Sequence, residues 1–386
     1  MKKKIAALAL ACALTLTACS GEKPDNGGSG KPESDKIVIG GLGPLTGSVA
    51  VYGITSTNGI KLAVKEINAA GGIMGKQIEY ILEDEKGEPT EAVNAFNKLK
   101  DKKMTALIGD ITSKPTLAVA PLAEEAKIPM ITPTGTQFDI TQGKNFVFRT
   151  CYTDPFQGNI LAQFVKENLK LKTVAIMSNN SDDYSKGVAK TFKDKAKEIG
   201  LEIVADEGYG KDDKDFRAQL TNIVSKNPDV LMISDYYEAD ALIATQAREV
   251  GIKSVIVGPD GWDGVLKQLD ESSKTVVEGA YFANHYSVQD KNEKVQKFVK
   301  AYKDEYKDEP SSFAALGYDT VYVLKQAIEE AKSEDGEKIA EQIKKIKFEG
   351  VTGKFSFDES NNPIKAVTMM KIKDGKYTFD SVVLPK

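Results

Sequence analysis

Residues 173–205 read TVAIMSNNSDDYSKGVAKTFKDKAKEIGLEIVA. An apolar run at Thr173–Ser178 gives way to a polar turn, then to an amphipathic segment over Ser185–Ile199, then to a second apolar run at Leu201–Ala205. Strand, helix and strand in that order predict two parallel strands joined by a crossover helix. The alternation extends in both directions. Upstream, strands are predicted at Ile37–Leu42, Gln77–Glu83, Ala106–Gly109, Met130–Thr132 and Phe146–Arg149, with helices at Thr57–Ala69, Thr90–Lys100, Thr116–Ala126 and Phe156–Leu169. Downstream, strands at Val230–Ser234, Ser254–Gly258 and Gly279–Phe282 alternate with helices at Phe216–Val224 and Ala239–Val250. The fold class is therefore α/β, and the count gives two successive doubly wound parallel sheets instead of one large one.

The last third changes character. Helices at Asn292–Tyr306, Ser312–Ala331 and Glu337–Ile346 precede antiparallel strands at Val351–Phe357, Val367–Lys373 and Tyr377–Val383. A late helical block after two α/β halves predicts that the chain returns to the first half before finishing. The expected lobes are 36–151 plus 285–353 and 152–284 plus 354–386, joined by crossover strands. A cleft between such lobes is the expected ligand site.

The N-terminus has another purpose. Lys2, Lys3 and Lys4 precede an apolar segment, Ile5–Leu16, that is short for a membrane span. Leu16-Thr17-Ala18-Cys19 then resembles a bacterial lipobox, which implies a signal peptide over 1–18 and lipidation of Cys19. Ser20–Asp35 holds no aliphatic, aromatic or sulfur-containing residue. It cannot offset its own ordering entropy, so 19–35 reads as anchor and flexible tether. The expectation is a body leashed to the outer face of the cell membrane, on the periplasmic side if the host has two membranes.

Composition narrows the function. Hydrophobic content of 41% and charged content of 28% suit a soluble globular body, and a net charge of −4 offers no basic surface for nucleic acid. Of the three cysteines, Cys12 leaves with the signal and Cys19 carries lipid, so Cys151 has no partner for a disulfide. The loop Gly40–Gly47 follows a strand but has Thr46 where a dinucleotide fingerprint needs glycine, and Pro44 interrupts its turn. His285 is the single histidine, which precludes a zinc-type site and reads as a surface or packing residue. Cys151 has no evident base and reads as a buried, inert thiol. Asp182-Asp183 and Asp212-Asp213 read as solvated turns, and Asp358–Asn362 lacks the glycine and distal glutamate of a calcium loop. No catalytic residue, metal or cofactor is expected. A secreted enzyme on a doubly wound scaffold is the competing class.

Polar and aromatic residues cluster instead at strand ends. Ile111-Thr112-Ser113 and Thr134-Gly135-Thr136 each stand between a strand and a helix, where free helix amides favour an anion such as a carboxylate. N-capping is the alternative role for those hydroxyls. In the second half the matching positions hold Tyr184, Tyr236 and Asp260. One wall suits a carboxylate and the other an ammonium, so the pair suits a zwitterion.

Several segments carry a resemblance: Gly43-Pro44-Leu45-Thr46-Gly47 with Tyr52-Gly53, Asn68-Ala69-Ala70-Gly71-Gly72-Ile73-Met74-Gly75, and Pro129-Met130-Ile131-Thr132-Pro133. Arg149-Thr150 with Asp154, Gln157 and Gly158, then Gly258-Pro259-Asp260-Gly261 and Glu349–Gly353, continue it across residues 36–386. Together they resemble the branched-chain amino-acid (Leu/Ile/Val-type) binding proteins of bacterial ABC importers, of the type I periplasmic-binding family. The resemblance implies Ser113 and Thr136 as carboxylate binders, Thr134 as a carbonyl partner for the ammonium, and Asp260 as its acidic partner, where the family often has Glu. It further implies Tyr52, Tyr184 and Tyr236 as cleft aromatics, with the ligand side chain near Ile111, Tyr152, Trp262 or Phe313. A disulfide found in some members has no counterpart, since Glu83–Pro89 contains no cysteine. Implied partners are an amino acid, an ABC permease with cytoplasmic ATPases, and the membrane through Cys19, with the protein a monomer that closes about a hinge. A short amide or aromatic amino acid is the alternative ligand, and a sensing module for a membrane receptor the alternative role.

Overall fold

The computed structural model describes residues 36–384; the expected signal segment, tether and Cys19 lie outside them. Strands β1 (Lys36–Gly43), β2 (Gln77–Asp84), β3 (Ala106–Ile108), β4 (Met130–Thr132) and β5 (Val147–Arg149) form a parallel sheet in the order β2-β1-β3-β4-β5. Helices α1 (Ala50–Ala69), α2 (Pro89–Asp101) and α3 (Ser113–Ala126) make the crossovers. The central strands read as unbroken apolar runs because both faces are covered. Ile37, Ile39, Ile108 and Ile131 pack with Ile60 and Ile67 of α1 on one face. Leu107, Met130 and Val147 pack with Phe96, Leu99 and Val119 of α2 and α3 on the other.

The second sheet contains β6 (Thr173–Asn179), β7 (Glu202–Tyr209), β8 (Val230–Ser234), β9 (Val255–Gly258) and β10 (Tyr281–Asn284), parallel in the order β10-β9-β8-β6-β7. Its crossovers use α5 (Asp183–Ile199), α6 (Arg217–Lys226) and α7 (Tyr237–Glu249), while α4 (Asp154–Gln163) enters from β5 and packs on α5. The expected long helix after Phe156 ends in a widened π-turn at Phe164–Asn168. In the 173–205 stretch, the Asp182 carboxyl accepts the Ser185 amide at 3.0 Å and caps α5. Asp182 is thus a half-buried cap and not a solvated turn residue. Gly200, at φ 71°, ends the same helix, as a left-handed cap should.

From β10 the chain returns toward the first sheet through α8 (Glu293–Tyr306), α9 (Ser312–Ala331) and α10 (Gly336–Ile343). Val321, Leu324 and Ile328 of α9 join the same apolar cluster as α1. The expected strand at Val351–Phe357 is instead a hairpin of β11 (Lys347–Gly350) and β12 (Gly353–Ser356). The buried Asp319 carboxyl causes the reversal: it accepts the Val351 amide at 2.9 Å and the Thr352 amide at 2.7 Å, and Gly353 supplies φ 96°. The expected crossover at 353/354 therefore falls inside a hairpin whose Phe348 and Phe355 both pack on the first sheet's core. The chain reaches the second sheet only at β13 (Val367–Lys373), antiparallel to β10, and ends with β14 (Lys376–Val383) on the sheet edge. Between hairpin and β13, the Asn361 side-chain Nδ2 donates to the carbonyls of Lys144 at 2.8 Å and Val147 at 3.1 Å.

Both sheets reverse strand order beside their first strand, at β1/β3 and at β6/β8. Such switch points open a crevice at the carboxyl ends of the strands. The segments after β3 and β4 meet those after β6, β8 and β9 around one cavity.

Candidate functional site

The cavity is narrow, and its empty volume of about 230 Å³ includes space open to solvent. The first lobe contributes Ile111, Thr112, Ser113, Thr134, Thr136 and Phe313; the second contributes Tyr184, Tyr236, Asp260 and Gly261. Of the residues expected there, Ser113, Thr134, Thr136, Tyr184, Tyr236, Asp260, Ile111 and Phe313 are brought together. Tyr52, Tyr152 and Trp262 do not line it.

On the first-lobe wall, Ser113 opens α3. The preceding Thr112 is extended and makes no side-chain cap bond, so the first amides of the helix stay open to the cavity side. Ser113 Oγ accepts the Gln137 amide at 3.2 Å, which leaves its own proton to donate. The Thr134 hydroxyl is spent on the Ile111 carbonyl at 2.5 Å, tying the two loops together. Arg149 is wholly buried and holds the second loop from beneath, donating to the carbonyls of Gly135 and Gln137 at 2.9 Å each. The Asp154 amide donates to the Thr136 carbonyl at 2.9 Å, and burial, reinforced by nearby Asp260, pushes the Asp154 carboxyl up to about 8. A protonated Asp154 places no negative charge beside the Thr136 backbone.

On the opposite wall, Asp260 is 2% exposed. Its Oδ1 accepts the Tyr184 hydroxyl at 2.7 Å, its Oδ2 lies 3.1 Å from His285 Nε2, and its amide donates to Gln157 Oε1 at 3.2 Å. Tyr184 stacks on Tyr236 with ring centroids 5.0 Å apart. Asp235, behind Tyr236, accepts the Tyr209 hydroxyl at 2.7 Å, and burial pushes it up to about 6.

The three displaced aromatics have physical reasons. Trp262 folds over Gly258 into the second-lobe core, where its Nε1 donates to the Ile233 carbonyl at 3.0 Å. Tyr152 stacks on the His285 ring at 3.9 Å, behind Asp260. Tyr52 stacks on Phe313 at 4.3 Å, and its hydroxyl donates across the lobes to the Gly261 carbonyl and accepts the Tyr237 amide at 3.0 Å. Tyr52 fastens the lobes beside the cavity. At the outer mouth, Lys211 reaches Glu88 at 3.0 Å across the same divide.

His285, read as a surface or packing residue, is not on the surface: it is fully buried, packed on Tyr152 and against Asp260. Its only sequence signal is position, directly after the last parallel strand of the second sheet. Cys151 is buried, unpaired, and pushed by burial up to about 12. Among the described residues, no group of three or more His, Cys, Asp or Glu side chains is placed to hold a metal ion, and no helix is long and apolar enough to cross a membrane.

A two-lobed α/β body with a cavity walled by strand ends of both sheets is a solute-binding architecture. The chain belongs to the periplasmic binding protein family, whose model matches residues 36–376. It is 34% identical to the Leu/Ile/Val-binding protein BraC3 of Rhizobium johnstonii, over 84% of this chain and 88% of the relative. It is 29% identical to a leucine-, isoleucine-, valine-, threonine- and alanine-binding protein of Pseudomonas aeruginosa, over 85% and 87% of the two chains. Among solved structures, it resembles the branched-chain amino acid transporter substrate-binding protein LivJ of Streptococcus pneumoniae in complex with isoleucine. That match has a TM-score of 0.83 and 37% identity, covering 91% of this chain and 100% of the other. The family and these neighbours are solute-binding proteins, not enzymes.

Proposed function

We propose that the protein captures a neutral amino acid, branched-chain by preference, outside the cell and delivers it to an ABC permease energised by cytoplasmic ATPases. The observation that supports this most directly is the pairing of walls. Ser113, Thr136 and the start of α3 face a carboxylate, while Asp260 faces an ammonium across the same cavity. Ile111, Phe313 and the ring of Tyr236 are the apolar surface left for the side chain. The amino acids bound by the Pseudomonas and Streptococcus relatives point the same way.

In this reading the first lobe comprises 36–151 with 285 to about the end of β12, and the second comprises the remainder of the described chain. Ligand bridges the two and shifts the population toward the closed form. Lipid at Cys19 holds a monomer at the outer face of the cell membrane. Thermal shifts of residues 36–386 against the neutral amino acids test the proposal. A ligand at a hundred times its dissociation constant raises stability by about 2.7 kcal/mol. No shift with any neutral amino acid would refute it.

A further inference from the structure

We propose that His285 is a positioning residue for ammonium recognition, its Nε2–H holding Oδ2 of Asp260 so that the carboxyl presents its remaining lone pairs to the cavity. The inference rests on the amino-acid reading of that cavity. Asp260 has one donor for each oxygen: the Tyr184 hydroxyl on Oδ1 at 2.7 Å and the imidazole on Oδ2 at 3.1 Å. With both oxygens held, the carboxyl cannot turn toward an alternative partner when the ligand is absent. Among the described residues no other hydrogen-bond donor meets Oδ2, and Tyr152 meets the imidazole face on at 3.9 Å and 22°.

The ring itself is immobilised. Its side chain is 0% exposed, Tyr152 covers one face, and the His285 amide donates to Asn284 Oδ1 at 2.8 Å. Asn284 in turn donates to Asp263 at 3.4 Å, and Asp263 accepts the amide and hydroxyl of Ser312 at 2.8 and 2.7 Å. Since Ser312 opens α9 in the first lobe, His285 lies on the crossover and is referenced to both lobes. Burial holds the imidazole down to about 4, against the pull of Asp260, so it is neutral at ordinary pH and has one N–H. Nδ1 has no partner and Nε2 faces a carboxyl oxygen, which assigns the proton to Nε2. A residue that only filled space would not require a nitrogen at that position.

The test compares L-leucine with its des-amino analogue, 4-methylpentanoate, by calorimetric titration of the wild type, His285→Gln and His285→Leu. Wild type should prefer leucine. His285→Leu should weaken leucine by about ten- to a hundredfold, the worth of a hydrogen bond to a charged group, and leave 4-methylpentanoate unchanged. His285→Gln, which keeps a donor, should recover much of the loss. Equal weakening of both ligands, or none, overturns the proposal in favour of packing. A wild type that does not distinguish the two ligands overturns the amino-acid reading itself, and this inference with it. If His285→Leu does not fold, the wild type still decides. The chain has a single histidine, so nitrogen-15 histidine labelling of untagged protein reports one imidazole. The neutral Nε2–H tautomer should be present at pH 7 and should respond to leucine but little to 4-methylpentanoate. An Nδ1–H tautomer, or equal responses to both, overturns the assignment.

Discussion

The Tyr52 hydroxyl of the first lobe accepts the Tyr237 amide of the second at 3.0 Å, and the Tyr237 hydroxyl donates back across the lobes to the Ser48 carbonyl at 2.8 Å. Their rings meet edge to face at 4.7 Å. The Tyr237 amide is one of the open donors at the start of α7, which has no side-chain cap of its own. A residue of the first lobe therefore completes a helix terminus of the second, and that amide loses the partner when the lobes part.

Tyr52→Phe keeps the ring and removes this fastening. Two hydrogen bonds worth about 1–2 kcal/mol in sum are lost from the closed form, so leucine affinity should fall by about five- to thirtyfold. Solution scattering of the saturated variant should give a wider distribution than the wild type. Unchanged affinity and scattering would mean that Tyr52 only packs against Phe313.

Asp154 gives the fold a pH dependence of definite sign. Burial first, then the charge of Asp260, raises its folded value to about 8, above that of an unfolded aspartate. The folded chain thus binds the extra proton. The associated stability is fully present below the unfolded value of about 4 and is lost as pH rises toward 8. Asp154→Asn keeps the acceptor for the Gln157 amide, 3.3 Å away in the wild type, and has no proton to lose. Its stability relative to wild type should rise by up to about 1.4 kcal/mol per pH unit between pH 5 and 8. Parallel urea titrations at pH 5 and 8 measure the difference, and a constant offset would show that Asp154 ionises normally.

The sequence and the fold agree most where a residue's role follows from its own element. Apolar runs such as Val230–Ser234 are strands because both faces are covered, and that is visible in composition. Hydroxyls at Ser113 and Thr136 stand at strand ends for reasons of topology, so their convergence could be anticipated. Direction of a side chain is another matter. Trp262 stands two residues after Asp260 yet points into the core, because Gly258 leaves room for its ring. The β11–β12 hairpin depends on Asp319, more than thirty residues upstream, and its carboxyl cannot be paired with Val351 from spacing alone. His285 was hidden for the same reason: its partners, Asp260 and Tyr152, come from separate segments.

The anchor is tested apart from the body. Cys19→Ser removes the only acceptor for lipid in the expected lipobox, and the cavity residues all lie beyond position 110. The variant should be released from membranes and bind leucine with unchanged affinity. Retention on membranes after a high-salt wash would count against lipidation at Cys19.

Asp260 carries the sharpest consequence. In the closed cleft an ammonium needs an opposing charge to offset its desolvation, and Asp260 is the acidic side chain lining the cavity. Asp260→Ala should cost about 3–5 kcal/mol of leucine binding, roughly several hundredfold or more. The same change strips a partner from the Tyr184 hydroxyl and from His285, so folding should also lose about 1–3 kcal/mol. Stability alone therefore does not separate a ligand-binding Asp260 from a turn residue held by its neighbours; affinity for two ligands does. Asp260→Asn, which retains one acceptor oxygen, should bind leucine better than Asp260→Ala and worse than the wild type. Both variants should bind 4-methylpentanoate at least as well as the wild type does, because that ligand has no ammonium to pair and leaves the buried Asp260 carboxylate unmatched. Wild-type affinity of Asp260→Ala for leucine, measured on protein shown to be folded, would eliminate the clamp across the two walls.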